Sequence, residues 1–145
     1  MTGTLFARAV LYAFAALILI VLATVLWIVL YSAAIAPGHD AAFYQSYAVN
    51  AAPTIGVIVG IPAFFVFGWL IARGRTLAHG LGAAALVAVA FFVIDMAIQF
   101  LMGGSFAPPG MMALTYISKL LAAVAGGWWA TRHASSLESG GNTPT

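Results

Sequence analysis

Long apolar stretches, broken by short clusters of Pro, Gly and charged residues, run the length of this chain. Four are long enough to cross a bilayer, at roughly 8–36, 51–72, 79–102 and 111–131. About 20 residues at the helical rise cover a hydrocarbon core, so each stretch predicts a spanning helix. The fold class expected is all-α: a polytopic, up-and-down, four-helix transmembrane bundle over residues 1–134. The segment 135–145 is small and polar, and is expected to be a disordered tail. The first stretch has some marks of a cleaved leader, with Arg8 ahead of it and Ser32, Ala34 and Ala36 near its end. Its apolar part far exceeds the usual ~7–15 residues of a leader core, and Pro37 follows the best cleavage position, so a retained helix is expected.

The breaks between stretches have readable chemistry. Pro37 and Gly38 end the first helix, and Asp40 can cap a short segment after it. Phe43, Tyr44 and Tyr47 share one helical face, which fits either a helical turn lying in the membrane interface or a loop whose rings cover the bundle. Asn50 is placed to cap the second helix, with Pro53 in its first turn. Pro62 falls mid-helix, frees the carbonyl of Ile58 and predicts a kink; broken helices of this kind border binding sites in transporters, though most serve packing alone. Gly103, Gly104, Ser105, Pro108, Pro109 and Gly110 predict an irregular loop before the fourth helix.

Small residues recur at helical spacing. Gly56 and Gly60 form a literal GxxxG, Gly80, Ala84 and Ala88 a similar stripe, and Ala122 with Gly126 and Ala123 with Gly127 two more. Such stripes let helices approach closely, within the chain or between copies of it.

Composition adds limits. Of 145 residues, 64% are hydrophobic and 6% charged, which leaves room for one bundle and no second domain. The net charge of +2 rests on only five scattered Lys and Arg, so nucleic-acid binding is not expected. Those residues read instead as topology signals. Arg8, Arg73, Arg75 and Arg132 all fall on one side of a four-span bundle, which the positive-inside rule makes cytoplasmic, with both termini there. Trp69, Trp128 and Trp129 suit the interface on that side. With no cysteine, disulfides, thiolate metal sites and thiol redox chemistry are excluded.

The candidate chemistry is one acid and one base inside the apolar runs. From the span centres, near Ala90 and Leu121, Asp95 lies about 7.5 Å toward the outside and Lys119 about 3 Å. The offset of about 4–5 Å is within reach of a lysine side chain. A salt bridge or charge-assisted hydrogen bond between Asp95 and Lys119 is therefore expected, with Gln99 one turn from Asp95, and Thr115 and Ser118 near Lys119. Asn50 and Thr54 extend this polar set, so a pocket open outward and closed inward is expected. The pair either fixes helix register as a neutral unit or forms a proton-coupled or anion-binding site.

No metal or cofactor is expected. His39, His79 and His133 lie at helix ends or loops on both sides, which argues against bis-imidazole haem and against a metal cluster. No Ser-His-Asp set can be assembled at one depth, and no glycine loop precedes a helix to hold phosphate. The bland loops and small-residue stripes favour a non-enzymatic accessory or assembly subunit of a larger membrane complex. The second reading is a homo-oligomeric small-solute or proton-coupled transporter or channel, built on Asp95 and Lys119. By size, a bacterial inner membrane is the expected location.

Overall fold

The computed structural model describes residues 3–101 and 109–139. It consists of four long helices: α1 (Gly3–Leu30), α2 (Ala41–Ala72), α3 (Leu77–Leu101) and α4 (Pro109–Ser139). All four carry segments long and apolar enough to cross a membrane. They run up and down, so that α2 and α4 are parallel to each other and antiparallel to α1 and α3. The expected all-α four-helix bundle is what forms. Arg8, Arg73, Arg75 and Arg132 all lie at the end that holds Gly3, the α2–α3 turn and the later part of α4; this is called here the basic end, and the other the aromatic end.

Several boundaries differ from those the sequence suggests. The first span ends in a π-helical turn, Tyr31–Ile35, closed by a bond from the Ala36 N–H to the Tyr31 carbonyl. The second helix begins ten residues earlier than expected, because Asp40 caps a continuous helix and not a short segment. Its Oδ1 accepts from the Phe43 N–H at 2.9 Å. Asn50 is therefore interior and not a cap, and its side chain donates back to the Ser46 carbonyl. Pro53 and Pro62 both lie inside the helix, which stays continuous through them. At the far end, α4 continues helically to Ser139, past the start of the expected tail at 135. Each residue added to an existing helix gains a backbone bond, so Ala134 to Ser139 extend it without a core of their own. The expected irregular loop falls mainly on 102–108, and the rest of the tail on 140–145, both outside the described residues.

At the aromatic end, α2 is fastened to the end of α1 by rings. Tyr47 stacks on Tyr31, with centroids 3.9 Å apart, and its hydroxyl accepts from the Trp27 indole. The Tyr44 hydroxyl donates to the Ala36 carbonyl at 2.6 Å. Phe43, Tyr44 and Tyr47 thus belong to the first turns of α2, not to a separate surface helix or a loop.

Toward the basic end the helices are in close contact. Lipid tails are as apolar as leucine, so helix association there rests on close packing and not on the hydrophobic effect. Small residues make that packing possible. A Cβ placed on Gly68 of α2 would strike the Ala123 carbonyl of α4, and one on Gly126 would strike the Phe65 carbonyl. These reciprocal approaches make α2 and α4 the most extensively packed pair. Gly127 meets Ala84 of α3, and Gly80 meets Thr131. Small residues of the stripes thus serve packing within the chain. Ala9, Ala13 and Ala16 of α1 complete the seal, around a buried centre of Phe64, Ile71 and Val87.

Candidate functional site

Toward the aromatic end the same four helices separate, and a cavity of about 800 Å³ opens among them. α1 contributes no polar side chain here except Thr24, whose hydroxyl is already bonded to the Ile20 carbonyl of its own helix. Leu17, Ile20 and Val21 make that wall apolar, and α1 makes no substantial direct contact with α4. The polar groups come from the opposite side, on α3 and α4.

The α3–α4 register sets which of them meet. Gly80 faces Thr131, and four residues along α3 Ala84 faces Gly127, four back along α4. Eleven further on, Asp95 faces Tyr116, eleven back from Gly127. Span centres at Ala90 and Leu121 imply this same register. The expected direct Asp95–Lys119 salt bridge nevertheless does not form: among the described residues no ion pair within 4.0 Å joins them. Tyr116 stands level with Asp95 and takes its place, the hydroxyl donating to Asp95 Oδ2 at 2.5 Å. The Gln99 amide donates to the same oxygen at 2.9 Å. Phe92 packs edge-on against the Tyr116 ring and fixes its plane.

Lys119 lies about 4.5 Å deeper than Tyr116 at the helical rise, and takes a different path. Its stem runs against Gly60 of α2, where a Cβ would fall 2.8 Å from Lys119 Cε. The missing side chain at 60 is the space that the stem occupies. Its Nζ rests 4.4 Å from the centre of the Phe91 ring, and that ring stands edge-on to Phe64 in the core. Phe91 is therefore the floor between the cavity and the sealed half. A desolvated cation–π contact contributes up to about 2 kcal/mol.

The remaining expected residues divide. Asn50, Gly56, Gln99 and Thr115 line the cavity with Asp95 and Lys119. Thr54 does not; it is exposed on the outside of α2. Ser118 and Pro62 do not either. They border a shallow apolar groove on the outer side of the α2–α4 seam, with Ile61 and Phe65. One helical position separates Ser118 from Lys119, and at about 100° per residue that turns its side chain out of the cavity. The Gly56–Gly60 pair serves two purposes: Gly56 faces the cavity and Ile20, Gly60 the lysine stem.

Sequence reading overlooked Tyr116 and Phe91. Both carried a signal. Tyr116 is three residues before Lys119 and Phe91 four before Asp95, spacings that share a helix face. Among the described residues no three His, Asp or Glu side chains gather as metal ligands. Compared with known protein families, curated proteins and solved structures, the chain finds no match.

Proposed function

We propose that this protein is a non-enzymatic membrane carrier that binds a small amphipathic solute in the cavity at its aromatic end. The observation that carries this reading is the convergence of Asp95, Gln99, Tyr116 and Lys119 on one wall of a cavity that is mostly apolar elsewhere and closed below by Phe91. Ligand sites of about 300–1,000 Å³ have this make-up, a mostly apolar lining with a few polar groups that fix orientation. Intramembrane ionisable residues also mark solute pathways more than they mark packing. The arginines at the basic end support placing that end and both termini in the cytoplasm, with the cavity opening to the other side of what we take to be a bacterial inner membrane.

Thermal unfolding of the purified protein in nanodiscs, with and without a panel of small amphiphiles, tests the reading. A ligand present at about 100 times its Kd stabilises the folded state by roughly 2.7 kcal/mol, which a melting curve resolves. Wild-type protein is expected to be stabilised by some members of the panel, and Lys119→Met to respond to a different set of members while retaining its own transition. A panel that leaves wild type unchanged would reject the carrier.

The accessory-subunit reading has one observation of its own. α1 is the least buried span, and Ile18, Leu19, Leu22, Leu26 and Val29 are exposed along it, away from the cavity lining. A larger partner would cover that side. Gentle purification from the native membrane tests it: a stoichiometric larger protein supports a subunit, and a clean monomer or homo-oligomer rejects it.

A further inference from the structure

Lys119 is only 4% exposed, yet its ammonium reaches no hydrogen-bond acceptor among the described residues. It carries three N–H donors. The Phe91 ring face answers its charge but accepts none of them in the way an oxygen does. Asp95 is the nearby anion, and Tyr116 and Gln99 already hold it at Oδ2. The Thr115 hydroxyl, one turn from Lys119 on the same helix face, also lines the cavity. The ammonium opens onto the cavity and bonds to no acceptor among the described residues, so its donors are free for whatever fills that space, water or a ligand.

We infer that the cavity takes a single-chain amphiphile with an anionic head, a carboxylate or a phosphate monoester, whose oxygens bond to Lys119. This rests on the carrier reading above and names its ligand class. The head is set by the unfilled donors on Lys119, with Thr115 beside them. Two donors at Asp95 damp its charge and reduce its repulsion of an anion. The tail is set by Leu17, Ile20, Val21 and Met112, which give it an apolar wall to lie on. A cavity of about 800 Å³ is the size for one drug-sized molecule.

Binding of decanoate, decyl phosphate, decanol and decylamine to the protein in phosphatidylcholine nanodiscs, measured by titration calorimetry against empty nanodiscs, tests this. Decanoate and decyl phosphate are expected to bind at least about tenfold more tightly than decanol, the gain of one charge-assisted hydrogen bond. Lys119→Met is expected to erase that difference while decanol still binds, which also shows the variant folded. Gly60→Ala is the second probe. Its Cβ would displace the lysine stem, so the preference for anions should fall and decanol binding should persist. Equal affinity for decanoate and decanol, or preference for decylamine, overturns the anionic head but leaves the carrier reading standing. Binding of none of the four rejects both. Loss of decanoate binding in nanodiscs containing phosphatidylglycerol would assign the site to a bilayer lipid and overturn the single-chain ligand.

Discussion

Tyr116 donates its hydroxyl proton to Asp95 Oδ2 across the α3–α4 seam, and this bond holds the carboxylate in place of the lysine one turn below. A phenol fills the position where an ammonium was expected. The acid and the base thus line one cavity but keep separate partners.

Tyr116→Phe removes that hydroxyl and keeps the ring against Phe92. A hydrogen bond to a charged group contributes about 1.5–3 kcal/mol, so a loss of that order is expected in reversible unfolding. A double-mutant cycle with Asp95→Asn should show coupling well above about 0.5 kcal/mol. Additive losses would mean that the bond contributes little.

Gly68→Ala and Gly82→Ala differ by one methyl group on similar apolar helices, and should move stability in opposite directions. At Gly68 the new Cβ meets the Ala123 backbone, which must shift or break the α2–α4 seam. At Gly82 it meets nothing within 4 Å, and the higher helix propensity of alanine is worth roughly 0.5–1 kcal/mol. Melting temperatures of the two variants in one detergent decide it. Equal behaviour would argue against the glycine seam.

The absence of cysteine makes the chain a clean background for labelling. Thr115→Cys, inside the cavity, is expected to react with a water-soluble, membrane-impermeant maleimide from the side of the aromatic end, and to be protected by ligand. Ser118→Cys, on the lipid-facing groove, is expected to react far more slowly. Reaction of both at one rate would deny that the two positions face different surroundings. Reaction of Thr115→Cys only from the cytoplasmic side would reverse the proposed orientation.

Asp40→Ala deletes the cap of α2. Capping losses run about 1 kcal/mol, and here they fall on the turns that carry Tyr44 and Tyr47. Faster amide exchange is expected over 41–47, with the sealed half toward the basic end unchanged. Unchanged exchange at 41–47 would show that the ring contacts to α1 hold this end without the cap.

Much of the site was legible because depth along a helix is a matter of counting. A rise of 1.5 Å per residue placed Asp95 and Lys119 in the same half of the bundle, put Gln99 beside Asp95, and gave the α3–α4 register that forms. Facing direction was less legible. Ser118 and Thr54 lie at the right depth but on the wrong side of their helices. The moment of a helix apolar all round gives no reference face from which to measure that rotation. Charge alone marks Asp95 and Lys119 in an apolar run, whereas a tyrosine among many aromatics does not stand out, although the Tyr116 hydroxyl is level with the acid.

The sequence by itself determined what local physics controls: four apolar runs of spanning length, their alternating direction, the common side of the arginines, and the presence of a polar set away from the chain ends. Bilayer thickness and helical rise impose those features whatever the packing. Only the tertiary structure decided which helices touch, since association among equally apolar surfaces turns on where glycine permits backbone contact. It showed small residues of the stripes packing helix against helix within the chain, merged the aromatic corner into α2, and gave Asp95 to Tyr116. It also threaded Lys119 past Gly60 to the ring of Phe91, because side chains on three helices compete for one cavity and the nearest in level takes the partner.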